Sequence, residues 1–149
     1  MFGGAKPVPV NFYNLRHPWR DMALVALAGP LSNFLLGVFF FLCLKVVVYE
    51  LHLWEQDTIG ERILQQALGY NLLLAAFNLL PITPLDGSRI MTWLLPDGMR
   101  QAYNGLERFG LILVLVLVNL VPPVKALVYS TMDSMFRVIQ TIVTFGGAW

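Results

Sequence analysis

Charge is missing from long stretches of this chain: residues 22–44 carry none, nor do residues 63–85 or 109–124. A hydrocarbon core of ~30 Å is crossed by about 20 apolar residues, so the first two stretches have spanning length. The third is shorter because Pro122-Pro123 ends it. It is expected to borrow residues 103–106 at its start, which puts Glu107 and Arg108 near an interface. The tail, residues 124–149, mixes apolar residues with Asp133 and Arg137 and reads as an amphipathic or a short membrane helix. The pattern predicts an all-α membrane protein with three transmembrane helices, that C-terminal helix, and a short extended Pro7-Val8-Pro9-Val10 segment at the N-terminus. No repeat or linker divides the chain, so residues 1–149 read as a single membrane domain.

Composition agrees. Of 149 residues, 57% are hydrophobic and 13% charged, with a mean hydropathy of +0.65, against ~25% charged in soluble domains. A net charge of +1 and the lack of a basic cluster with interleaved aromatics argue against nucleic acid as a partner. The single cysteine, Cys43, lies inside the first apolar stretch and is expected to be a packing residue. Ala26-Leu27-Ala28 has the form of a signal cleavage site, but Asp21 stands too close for an apolar region of ~7–15 residues, so no signal peptide is expected. Lys6, Arg16 and Arg20 precede the first stretch, and Arg89, Arg100 and Arg108 follow the second. Between and beyond them stand Lys45, Arg62, Lys125 and Arg137. This bias favours a cytoplasmic N-terminus, with Asp86 near the cytoplasmic face.

Two helix faces carry polar groups. Gly29, Asn33 and Gly37 recur every four residues, a face where another backbone can approach and meet an amide. Pro30 beside them either kinks the helix or sits in its first turn. In the second stretch Asn71, Ala75 and Asn78 share a face, and buried amides should look into the bundle or a wet cavity. Pro81 and Pro84 then break the helix below Asn78 and free carbonyls that need donors.

Asp86 closes this run and admits two readings. Pro84-Leu85-Asp86-Gly87 has turn chemistry, with Asp86 capping a helix from Gly87 to Leu95. Alternatively the carboxylate is a metal ligand at membrane depth. A catalytic zinc needs about three protein ligands. The two histidines, His17 and His52, read as loop residues, and neither begins an H-E-x-x-H. Ser32 and Ser88 have no base in a recognisable order, so serine chemistry has no support.

Asn78-x-x-Pro81-x-x-Pro84-Leu85-Asp86-Gly87 resembles the asparagine–proline–leucine–aspartate–glycine signature of the site-2 protease family of intramembrane zinc metalloproteases. Ala28-Gly29-Pro30-Leu31-Ser32-Asn33 and Gly4-Ala5-Lys6-Pro7-Val8-Pro9-Val10-Asn11 agree with its compact bacterial branch. The resemblance covers roughly residues 2–95, and three blocks in order are far more specific than one L-D-G. It implies that Asp86 is the third zinc ligand and that Asn78 and Asn33 lie near the site, binding substrate or orienting ligands. It also implies zinc as cofactor, transmembrane protein substrates and membrane lipid as partners, and a bacterial plasma membrane as the location. The first two ligands and the water-activating glutamate of that family come from an H-E-x-x-H helix, and no H-E-x-x-H occurs in this sequence.

No catalytic residue is therefore assigned within the chain. The expectation is a shortened site-2-type zinc endopeptidase, inactive alone; the alternative is a non-catalytic module that binds membrane helices. In an extended strand, Pro7 and Pro9 remove donors from one edge while Val8 and Val10 keep theirs on the other. Such a strand is expected to bind unwound substrate by strand addition, unless it is simply a proline-rich lead-in loop.

Overall fold

The computed structural model describes residues 16–51 and 58–143. The Pro-Val-Pro-Val segment, with Val8 and Val10, lies outside the described residues, as does His52. Regular structure in the described residues is helical: α1 (Pro18–Leu44), continued by a wider π-type stretch (Lys45–Glu50), α2 (Ile59–Asn78), α3 (Asp86–Leu94), α4 (Asp97–Asn104), a 3-10 turn (Gly105–Phe109), α5 (Gly110–Leu120) and α6 (Pro122–Val143).

Local chemistry explains most boundaries. Pro18 opens α1, where its missing donor costs nothing. Pro30 lies well inside that helix rather than in its first turn. Thr58 caps α2 by accepting the Glu61 N–H at 3.3 Å, the first half of a T-x-x-E capping box that the reading of the sequence passed over. α2 stops at Asn78, as Pro81 and Pro84 require. Pro122 both follows the end of α5 and occupies the first turn of α6.

α1 and α2 pack antiparallel. Gly37 lies against Leu72, and Leu44, Val48, Leu68, Leu72 and Ile139 form one core. The buried face of α1 is rich in small residues, Ala23, Ala26, Pro30 and Gly37, which let helix backbones approach. A second core of Ala76, Leu80, Ile82, Val114 and Val128 joins the end of α2 to α5 and α6. α6 thus runs from the second core to the first, antiparallel to α2.

Among the described residues, one helix, Pro18–Val48, is long and apolar enough to cross a membrane by itself. The second and third expected spans differ from it. Residues 63–85 are not one helix, since α2 ends at Asn78, and its opening turns carry Glu61, Arg62, Gln65 and Gln66. Residues 109–124 are helical only over Gly110–Leu120, about 16 Å at 1.5 Å per residue. The borrowed residues 103–106 do not extend that helix straight. They belong to α4 and the 3-10 turn, and Asp97–Phe109 and Ile112–Leu120 meet at 89°. Gly105 and Gly110 flank the turn where the chain bends.

Candidate functional site

The site is built where the loop after α2 folds back onto α1. With Pro81 and Pro84 unable to donate, the loop closes on itself. Leu80 N–H donates to Phe77 O at 3.1 Å, Ile82 N–H to Leu80 O at 2.8 Å, and Leu85 N–H to Ile82 O at 2.9 Å. The Pro81 carbonyl accepts from the Tyr103 hydroxyl at 2.8 Å. The carbonyls of Phe77, Leu80, Pro81 and Ile82 thus meet protein donors. Thr83 Oγ1 is the exception, buried with no partner among the described residues.

α3 then starts at Asp86. The expectation that Asp86 caps this helix is corrected: Leu85 is the capping residue, with extended backbone, and Asp86 is the first helical residue with no side-chain cap bond. The turn is held by Ser88, whose N–H and hydroxyl both donate to Leu85 O, at 2.9 and 2.6 Å. Freed from capping, the Asp86 carboxylate lies on α1. A Cβ built on Gly29 would stand 2.6 Å from Asp86 Oδ2. Gly87 allows the approach from the other side, because a Cβ there would stand 2.2 Å from Leu79 O and 2.4 Å from Leu80 O. Gly29 and Gly87 are thus the two positions where a side chain would push α3 off its seat.

The two sequence blocks therefore meet in space at Gly29 and Asp86. Asn33 lies one turn further along the same face of α1, between Gly29, which the Asp86 carboxylate touches, and Gly37, which Leu72 covers. It is half-buried. Asn78, the last residue of α2, is also half-buried, and neither amide has a hydrogen bond among the described residues. Asn71 is half-buried and needs no partner from another element. Its NH2 donates to Ala67 O of its own helix at 2.8 Å and so is satisfied locally.

Asp86 is itself half-buried, with no ion pair or hydrogen bond among the described residues. The cation one turn away, Arg89, is bonded instead to Glu107 Oε1 at 2.7 Å. Glu107 is thereby a tie between α3 and the 3-10 turn. Thr92 donates to Ser88 O at 2.8 Å and to Asn104 Oδ1 at 3.1 Å, binding α3 to α4. Arg100 closes the C-terminus of α3, donating to Thr92 O at 2.8 Å and Trp93 O at 3.2 Å, with Asp97 as its ion-pair partner. Its guanidinium also lies 5.2 Å from the Trp19 ring of α1. Sequence reading missed this polar frame because the ties that join its elements link residues 7 to 22 apart at no regular spacing.

A zinc centre needs about three protein ligands, and among the described residues no group of three His, Cys, Asp or Glu forms. His17 stays at the start of α1, its N–H donating to Asp21 Oδ2 at 3.1 Å, away from Asp86. The described residues do not fit a resident zinc by themselves. What they supply is one unpaired carboxylate, held on a glycine floor by a braced loop.

No family model matches the chain, and no solved structure matches it. The relatives it does resemble are named as zinc metalloproteases, and they support a metalloprotease family and an expectation of zinc. One is "Putative zinc metalloprotease YwhC" of Bacillus subtilis (strain 168), 38% identical over 118 residues, which are 78% of this chain and 54% of that protein. Another is "Putative zinc metalloprotease MJ0611" of Methanocaldococcus jannaschii, 38% identical over 69 residues, 46% of this chain and 32% of that protein. The chain spans about half the length of the first and a third of the second.

Proposed function

We propose that this chain is the aspartate-bearing part of a site-2-type intramembrane zinc endopeptidase, hydrolysing peptide bonds in transmembrane protein substrates. Asp86 is its one zinc ligand, and the histidines and water-activating glutamate belong to an H-E-x-x-H helix outside this sequence. The observation that carries the reading is the seat of Asp86 on Gly29, which joins two of the three motif blocks. Gly29 lies inside the charge-free residues 22–44, so the carboxylate shares membrane depth with α1. On this reading three helices cross a bacterial plasma membrane, the N-terminus is cytoplasmic, and lipid and substrate helices are the partners. Bound zinc would polarise a scissile carbonyl and acidify water. The chain's own contribution is to hold the carboxylate, to exclude lipid with the braced loop, and to offer Asn33 and Asn78 as hydrogen-bonding groups for an unwound substrate. Val8 and Val10 take the strand-pairing role.

The test is a chain fused to, or extended upstream with, an H-E-x-x-H helix and assayed in membranes. The expected result is about one zinc per chain and cleavage of a membrane-embedded reporter, both lost with Asp86→Ala. Zinc and cleavage unaffected by Asp86→Ala overturn the reading. Reporter binding without zinc or cleavage selects the helix-binding module instead.

A further inference from the structure

Two carboxylates compete for one cation at the Asp86 end of the bundle. Asp86 opens α3 and Arg89 stands three residues on, a spacing that sets acid and base side by side on a helix surface. Both are half-buried, and attraction between charges strengthens as water is excluded. Local geometry alone therefore predicts that Arg89 turns to Asp86. It does not. The Arg89 guanidinium is bonded to Glu107 Oε1 at 2.7 Å, and Asp86 has no ion pair among the described residues. Other cations at this end have partners of their own. Arg20 pairs with Asp21 at 3.3 Å, Arg100 pairs with Asp97, and the Arg108 guanidinium lies 4.8 Å from the Phe109 ring. Arg89 is thus the cation that helical spacing offers to Asp86 and tertiary structure takes away.

An exposed ion pair is ordinarily weak, because two long side chains must be held still to make it. The Arg89 and Glu107 side chains are 38% and 45% exposed, so their pair depends on how the Glu107 backbone is presented. The 3-10 turn is pinned on both sides of Glu107. Before it, Tyr103 Oη donates to Pro81 O at 2.8 Å, and Asn104 Oδ1 accepts from Thr92 at 3.1 Å. After it, a Cβ built on Gly110 would stand 2.8 Å from Pro84 Cδ. Two of these three contacts are made to the proline loop that carries Asp86. The Glu107 carboxylate is therefore delivered to Arg89 by a turn braced on the site itself, not by the free choice of a surface side chain.

We propose that Glu107 is a positioning residue for the Asp86 site: by holding Arg89 it keeps that cation off Asp86 and leaves the carboxylate uncompensated. Without Glu107, Arg89 turns to Asp86 and closes the site with a pair inside α3. The Glu107 turn thereby does for charge what Gly29 and Gly87 do for shape. The inference rests on the proposed function for what the free carboxylate serves, and deepens it by naming the residue that keeps it free. The competition for Arg89 stands on the geometry alone.

The experiment uses the full chain in detergent micelles. A water-soluble carbodiimide with glycine ethyl ester is the probe, and peptide mass spectrometry scores modification at Asp86. A carboxylate committed to an ion pair reacts less, whereas mere loosening of the site exposes it and makes it react more. Glu107→Ala is expected to lower Asp86 modification at least threefold. Adding Arg89→Gln should bring it back to within twofold of the parent chain, a suppression that a purely structural tie would not show. Arg89→Gln alone should leave modification within twofold, which decides the matter even where far-UV circular dichroism shows that Glu107→Ala does not fold. A smaller fall, no change or a rise with a folded Glu107→Ala chain overturns the proposal, as does a double variant that stays low. So does an Asp86 already unreactive in the parent chain, or a larger change with Arg89→Gln alone, which would place Arg89 on Asp86 from the start. No metal enters these measurements, so their failure is distinct from zinc and cleavage that survive Asp86→Ala, the result that overturns the protease reading.

Discussion

At the Lys45 end of the bundle, Leu44, Val48, Leu68, Leu72 and Ile139 interlock between three long helices. At the Asp86 end, two short helices and a proline loop meet α1 and α2 through glycine approaches and polar ties: Gly29 under Asp86, Gly87 under Leu79, Tyr103 on Pro81, Arg89 on Glu107. The first arrangement tolerates adjustment, because apolar side chains of similar volume can replace one another. The second fixes a backbone path and leaves one carboxylate unpaired on it. Apolar core and site are thus lodged in opposite ends, and substitutions should separate them.

The largest effect is expected at Gly87. Its Cβ would meet two backbone carbonyls, 2.2 and 2.4 Å away, and backbone cannot swing aside as a side chain can. Gly87→Ala should cost about 3 kcal/mol, the upper part of the overpacking range. Reversible denaturant unfolding in detergent measures it; a loss under 1 kcal/mol would mean that α3 does not lie on Leu79 and Leu80. Leu72→Ala comes next. Leu72 is 1% exposed and leaves a cavity beside Gly37, but in a lipid-like phase part of the transfer cost disappears, so about 2 kcal/mol is expected. The sharper reading is the contrast: Leu72→Ala should loosen Phe41 and Phe136 while leaving the Asp86 seat unchanged, which site-directed labelling at Asp86→Cys would report.

How much of this was legible differs between the ends. α1 followed from an uncharged stretch bounded by Asp21 and Lys45, and the end of α2 from Pro81 and Pro84, because both signals act within one or two turns. The Gly29–Asn33–Gly37 face was visible as a four-residue period, and its neighbours are Asp86 and Leu72. Asp86 as a helix cap was a reasonable local inference that tertiary packing overrode. Leu85 takes the extended cap conformation, and the carboxylate goes to α1 instead. The third apolar stretch hid its geometry for the opposite reason: a continuous apolar run gives no sign of the 89° bend, since hydrophobicity reports burial or lipid and not direction. The Tyr103–Pro81 and Arg89–Glu107 ties, 22 and 18 residues apart, have no local signature at all.

Tyr103→Phe should have a smaller effect than either core or glycine change. It removes the donor to the Pro81 carbonyl and leaves that oxygen without its protein partner, at about 1 kcal/mol. The same denaturant titration checks it. A loss equal to that of Leu72→Ala would show that α4 carries the site end as firmly as the apolar core carries the other.

The smallest change in stability is expected from a pair that decides the geometry of the site. Gly29→Cys alone should displace the Asp86 carboxylate, whose Oδ2 would stand 2.6 Å from the new Cβ. Combined with Asp86→Cys, the clashing carboxylate is itself removed, and the crowding falls away. The built Gly29 Cβ lies 3.7 Å from Asp86 Cγ, so the two Cβ atoms come close to the ~3.5–4.5 Å that a disulfide requires. In a Cys43→Ala background the double cysteine should oxidise within the monomer, seen as a faster-migrating band reversed by reductant. Gly37→Cys with Asp86→Cys should not oxidise, because two helical turns of α1 separate Gly37 from Gly29, about 12 Å at 1.5 Å per residue. A crosslink at Gly37 and none at Gly29 would slide α3 along α1, move the carboxylate away from the Gly29 block, and remove the observation on which the protease reading stands.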